Sequence, residues 1–233
     1  RDATNMAAAL PWFPVVGGAL GFILYGLSIL FGQDSSGRWP EGTAVLLVVA
    51  GTILTRGLHL DGLSDCADGF WGGKDRESTL RIMKDPHVGA FGVVAIVSAL
   101  LGKFVCFEAL VRLGAQSWIV AALVLSRTLQ VLLASTLPYA RAEGGTAAPF
   151  VQNARPWHFA IAAMLAAAIL YAWFGFAHWL WLAAFALAWV LARALALWCR
   201  IRIRGVTGDV LGAGSELVEV SVLALGAVYE VCL

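Results

Sequence analysis

An all-α bundle embedded in a membrane is the fold this sequence predicts, and three observations carry it. The 233 residues are 60% hydrophobic and 13% charged, with a mean hydropathy of +0.80, the composition of a polytopic membrane protein. Apolar runs long enough to span a bilayer recur about seven times. The charge that remains gathers in a few connections, above all between His59 and Phe91. The chain therefore reads as one membrane-embedded domain, 1–233.

The first predicted span runs from about 10 to 31, with Pro11 and Pro14 suited to its first turn. A polar turn, GQDSSGRWPEG, separates it from a short second span, 43–58, which delivers the acidic stretch directly. The remaining spans are 89–111, 117–137, 157–174, 176–199 and 215–233. The junction at Gly175 is so tight that the fifth and sixth form a hairpin. Between the acidic stretch and the third span, RESTLRIMKDP (76–86) reads as a short interfacial helix. Asp75 caps it, Leu80 and Met83 face the membrane, and Pro86 ends it.

Orientation follows from the cations in the connections. One side holds Arg1, Lys74, Arg76, Arg81, Lys84, Arg141, Arg155, Arg200, Arg202 and Arg204, and the other only Arg38 and Arg112. Ten against two predicts a cytoplasmic first side by the positive-inside rule. Tryptophans such as Trp12, Trp39, Trp118, Trp157, Trp179 and Trp198 fall near span ends, as an interfacial belt requires. A net charge of +1 carries no nucleic-acid footprint. The four cysteines, Cys66, Cys106, Cys199 and Cys232, have neither disulfide-framework nor zinc spacing, and Cys66 reads as a small packing residue. The chain begins at Arg1 without a methionine or a signal-peptide pattern, which leaves the completeness of its N-terminal segment open.

The stretch 59–91 holds six of the fifteen acidic residues: Asp61, Asp65, Asp68, Asp75, Glu77 and Asp85. Asp61, Asp65 and Asp68 stand at i, i+4 and i+7, so a helix through them stacks three carboxylates on one face. A hard cation such as Mg²⁺ resolves that repulsion, because it takes a few carboxylate oxygens, keeps waters and recruits phosphate oxygens. The plainer reading is a solvated loop in which these acids pair with Lys74, Arg76, Arg81 and Lys84. Gly62, Gly69, Gly72 and Gly73 argue against it, since they suit backbone that approaches a ligand or turns sharply. Arg81 and Lys84 serve equally as phosphate contacts or lipid anchors.

A second constellation is RIRGVTGDVLGAGSELVE, Arg202 to Glu219. A helix through Asp209 and Glu216 carries both on one face, pointing from the mouth into the bundle. Carboxylates within a bilayer face a cavity or a cation, and Arg127 and Arg193 are the available partners. Lys103 and Glu108 read as snorkelling or paired. The connection TLPYARAEGGTAAPF brings Tyr139, Arg141, Gly144 and Gly145 over the site.

In order, HLDGLSDCADG (from His59), IMKD (from Ile82), GAFG (from Gly89), YAR (from Tyr139) and TGDVLGAGSELVE (from Thr207) resemble the cobalamin synthase, or adenosylcobinamide-GDP ribazoletransferase, family. The resemblance runs from about Trp12 to the C-terminus, and the first and last motifs together are highly specific. It implies a multi-pass enzyme of the bacterial inner membrane, and the cation count places its active-site loops in the cytoplasm. Such an enzyme uses Mg²⁺ to join adenosylcobinamide-GDP to α-ribazole or its 5′-phosphate, with release of GMP. The family's usual further N-terminal stretch is missing here.

Fitted to that reaction, Asp61, Asp65 and Asp68 are the expected Mg²⁺ ligands. Asp85 is the first choice for the base that takes the attacking hydroxyl's proton, and His59 the second. Arg81, Lys84 and Arg141 are candidates for phosphate contacts, and Thr207, Asp209 and Glu216 for the ribazole or corrin side. Two other readings stand beside this one. Asp65-x-x-Asp68-Gly69 is similar to the start of the CDP-alcohol phosphotransferase motif of phospholipid synthesis, which gives TGDVLGA no task. A transporter explains Arg127, Arg193, Glu216 and Glu219 within spans but not the cluster of aspartates. The lipid bilayer is an expected partner; a homo-oligomer and contact with other cobalamin-assembly enzymes stay open.

Overall fold

The computed structural model describes residues 6–34, 37–175 and 180–232. After a 3₁₀ turn at Ala7–Trp12, the helices are α1 (Phe13–Phe31), α2 (Pro40–Leu54), α3 (Leu58–Gly72), α4 (Arg76–Ile82), α5 (Ala90–Leu113), α6 (Ser117–Thr136), α7 (Ala148–Val151), α8 (Pro156–Phe174), α9 (Leu180–Arg202) and α10 (Gly208–Val231). A two-residue antiparallel pair, Gln33–Asp34 with Gly37–Arg38, joins α1 to α2. Among the described residues six helices are long and apolar enough to cross a membrane, and the bent pair α2 and α3 makes up to a seventh span. The chain is thus a polytopic helical membrane protein.

The bundle is built around α6. Every residue of it from Trp118 to Ala134 is buried, because α1, α8, α9 and α10 pack around it. Such all-round burial marks a helix that sees protein rather than lipid. By contrast α5 and α9 expose Val94, Leu101, Val105, Val190 and Leu197 on their outer faces, where lipid is the natural solvent. At Gly17 an added Cβ would overlap the Leu123 carbonyl and press on the Arg127 stem, which sets how closely α1 approaches α6.

The helix boundaries show where local rules were right and where packing overrode them. Helix α10 starts seven residues before the predicted 215, with Thr207 as its N-cap accepting from Val210 N–H. Helix α2 stops at Leu54, and the chain turns through 86° into α3. Arg56 (φ 53°) and Gly57 (φ 67°) make that turn in the left-handed region, which is costly for arginine. The acidic stretch is therefore mainly helix, and α4 is capped by Asp75 in a capping box with Ser78, as expected.

Three expectations need correction. Met83 does not face the membrane: it is 2% exposed and sits against Gly69, so α4 packs on α3. Trp118 is not in an interfacial belt but buried, donating to Glu230 at 3.0 Å. The glycines Gly62 and Gly69 do not turn the chain; they lie within α3, where another backbone or side chain comes close. Arg1, Trp179 and Leu233, the predicted start of the sixth span at 176, and the side chain of Arg38 lie outside the described residues.

The sorting of connections to two ends holds. At one end Arg76 donates to the carbonyls of Ile203 (3.0 Å) and Ala140 (2.6 Å), and Arg202 to those of Phe70 (2.6 Å) and Gly73 (2.8 Å). Met6 N–H also reaches the Pro149 carbonyl there, at 3.1 Å. At the opposite end Arg112 joins Glu41 and Glu108.

Candidate active site

A cavity of about 500 Å³ opens at the first of these ends, between α1, α3, α6, α10 and the connection before α7. One wall is apolar, with Leu10, Phe13, Leu20, Leu58, Phe150 and Leu211, and the other carries His59, Asp61, Arg127, Gln130, Thr146 and Asp209. Such an amphipathic hollow, apolar with a few convergent polar groups, is the usual form of a small-molecule site. Its polar wall is held by two close approaches. A Cβ at Gly62 would stand 2.6 Å from the Asp209 carbonyl oxygen, and one at Gly212 would stand 3.1 Å from His59 Cα. Glycine at both places lets α3 and α10 meet backbone to backbone, which fixes Asp61 and His59 relative to Asp209.

The mouth is acidic. Asp61 and Asp65 form no ion pair with a protein cation among the described residues, and Asp65 stands in the field of Asp209, Asp61, Asp68 and Arg141. Asp209 is anchored by Arg141 at 2.8 Å, with Thr207 Oγ1 donating to the same oxygen at 3.2 Å. Arg141 thus reaches over the site, as expected. Asp68 has a different occupation: its two oxygens accept from Gly89 N–H (2.7 Å) and Gly92 N–H (2.9 Å). It caps α5 from another helix, placing an anion where the dipole is positive. Among the described residues no three His, Cys, Asp or Glu side chains group closely enough to hold a metal ion. The structure therefore puts Asp61 and Asp209 on the cavity lining, with Asp65 behind them in their field and Asp68 capping α5 on the flank.

Other expected site residues lie away from the cavity. Asp85 is exposed and accepts from His87, at 3.0 Å from the backbone N–H and 2.6 Å from Nδ1. Those bonds, the backbone one foremost, hold its carboxyl below the usual range, and it does not line the cavity. Lys84 pairs with Glu143, and Arg81 is exposed; neither lines the cavity. His59, the second choice for base, does line it. Gln130 Nε2 lies 3.1 Å from His59 Nε2, and His59 Nδ1 has no hydrogen-bond partner among the described residues.

Deeper in the bundle, Glu216 and Glu219 are answered by Lys103, at 2.8 Å from each. Arg127 stands 3.6 Å from Glu219 and donates to Ser126 (2.9 Å) and to Ser215. Glu216 thus belongs to a charge network and not to the cavity wall; Lys103 is paired without snorkelling, and Arg193 is exposed rather than a partner. Residue reading missed Gln130 and Thr146. Gln130 had a signal: it lies three residues after Arg127 on one face of an apolar span, where a polar side chain needs a reason.

No solved structure matches this chain. A family model described as cobalamin-5-phosphate synthase matches residues 1–227. A relative from Chlorobaculum parvum, named adenosylcobinamide-GDP ribazoletransferase, is 47% identical over 98% of this chain and 89% of its own length. Relatives of the same name from Chlorobium phaeobacteroides and Syntrophobacter fumaroxidans are 45% and 40% identical, over 100% and 96% of this chain and 92% and 88% of theirs. A match of this extent settles the grouping: the chain belongs to the cobalamin-5-phosphate synthase family.

Proposed function

We propose that this chain acts as an adenosylcobinamide-GDP ribazoletransferase, joining adenosylcobinamide-GDP to α-ribazole or its 5′-phosphate and releasing GMP. The observation that supports the chemistry is the mouth of the cavity, where Asp61 and Asp209 line the wall, Arg141 holds Asp209, and neither Asp61 nor the nearby Asp65 has an ion-pair partner among the described residues. The phospholipid and transporter readings lose ground to a family match that includes TGDVLGA. A hydroxyl oxygen of the ribazole ribose attacks the phosphorus that bears the cobinamide. The bond from that phosphorus to the oxygen bridging to GMP breaks, and GMP leaves with the electron pair.

The donor set fits magnesium: it is all carboxylate oxygen, and one or two protein carboxylates suffice when substrate phosphates and waters complete the shell. Asp61 and Asp65 would hold the ion, which when bound supplies charge neutralisation for the pyrophosphate and the departing phosphate. Arg141 orients Asp209 and offers its remaining donors to phosphate. Asp209 takes the hydroxyl proton in place of Asp85: one of its oxygens is fixed by Arg141 and Thr207, and it lines the cavity. The cation-rich end faces the cytoplasm of the bacterial inner membrane in this reading.

The test is GMP release by purified protein in detergent, with both substrates, with and without Mg²⁺. Mg²⁺-dependent release, lost in Asp65→Asn and Asp209→Asn while the protein stays folded, is the expected result. Undiminished turnover in Asp65→Asn overturns the metal assignment, and no turnover in folded wild type overturns the activity.

A further inference from the structure

We propose that a groove in the outer wall of the bundle, apart from the active-site cavity, holds an acyl chain of an anionic phospholipid whose phosphate rests on Lys74 and Arg202. The groove has a volume of about 360 Å³. Helices α3 and α10 form its floor, α5 one lip through Ala95 and Ala99, and α9 the other through Leu195 and Trp198. Leu217 on the floor is 46% exposed, so the groove opens outwards to the bilayer. An apolar gap open to hydrocarbon offers water too few polar partners and is filled by hydrocarbon. A helix about 10 Å across, over the roughly 12 Å of rise that the groove follows α10 from Ala213 to Ser221, needs more than twice that volume. An extended chain suits the space, and a helix of a second copy does not.

One end of the groove is marked for a headgroup. Trp198 stacks on Phe70 with ring centroids 5.0 Å apart and meets Trp71 edge-on at 5.5 Å, and such rings settle at headgroup level. One turn beyond Trp198, Arg202 donates through Nη2 to the carbonyls of Phe70 and Gly73, while its Nε and Nη1 make no bond among the described residues. The next residue after Gly73 is Lys74, which is exposed and has no ion pair among the described residues. Two cations with donors to spare over an apolar trench match an anionic lipid, charge above and chain below. The groove also backs the active site. Leu63, Cys66, Ala67 and Phe70 line it from α3, half a turn round that helix from Asp61, Asp65 and Asp68.

The test is native mass spectrometry of the full chain, stripped of lipid in detergent and titrated with phosphatidylglycerol or phosphatidylcholine. One phosphatidylglycerol per chain is expected to be retained, about tenfold more tightly than phosphatidylcholine. Lys74→Gln is expected to weaken phosphatidylglycerol about fivefold. Ala95→Trp, which fills the groove from α5, is expected to abolish retention of both lipids. Equal retention of the two lipids, or retention that survives Ala95→Trp in folded protein, means lipid held at no particular place and overturns the proposal. A wild-type chain that retains no lipid overturns it as well; if that chain runs as a dimer that Ala95→Trp breaks, the groove belongs to a second copy. None of these outcomes bears on GMP release, so the transferase reading stands or falls separately.

Discussion

The acidic groups at the mouth and those in the middle of the bundle look alike in sequence and are treated in opposite ways by the fold. Glu216 and Glu219 share Lys103 at 2.8 Å each, and Arg127 closes the set. Asp61 and Asp65 are given no protein cation among the described residues. Buried charge is tolerable only when paired, so the inner network is neutral and serves the scaffold. Surplus negative charge is kept at the end where a substrate and its cation arrive. Partnership, rather than the count of carboxylates, separates framework from reaction chemistry.

That contrast breaks most visibly if the inner network is dispensable. Lys103→Met strands two carboxylates in an apolar interior and is expected to cost about 3–5 kcal/mol, read as a lowered unfolding midpoint in detergent. An unchanged midpoint would remove the framework role. At the mouth the same kind of change has the opposite signature. Asp61→Asn is expected to lower GMP release about 100-fold or more, with no loss of stability, because it relieves repulsion. Asp68 lies between the two cases. Asp68→Ala removes the cap on Gly89 and Gly92 and is expected to cost about 1 kcal/mol of stability, with a smaller effect on turnover than Asp61→Asn. The smallest effects belong to groups satisfied in solvent. Asp85→Asn and Glu143→Gln are expected to leave turnover and unfolding unchanged; a large loss of turnover in Asp85→Asn would return that residue to the base role and move the site outwards.

Much of this was legible because it is local. Apolar runs placed α1, α5, α6 and α8 within about three residues, and the spacing of Asp61, Asp65 and Asp68 announced the helix that carries them. The sorting of cations predicted which connections meet at one end. What stayed hidden was long-range. Asp68 meets amides 21 and 24 residues away, and Lys103 meets Glu216 and Glu219 across helices. The preference of Met83 for Gly69 over lipid depends on where α4 folds back. The sharp turn before α3 is centred on Arg56, whose positive φ no residue rule proposes. Asp85 was attractive through its place beyond the Gly72, Gly73 turn, and its position away from the cavity counts against it.

The all-round burial of α6 has a consequence in time. Arg127 and Glu219 are separated by 92 residues of chain, so at synthesis rates of about 5–20 residues per second the arginine is made roughly 5–20 seconds before its carboxylate. Within that interval α8 and then α9 are made, and only α10 is still to come. Until the last helix is made, Arg127 is without Ser215 and Glu219. Closure of the bundle therefore waits on its C-terminal helix, and α10 is the segment that completes the centre.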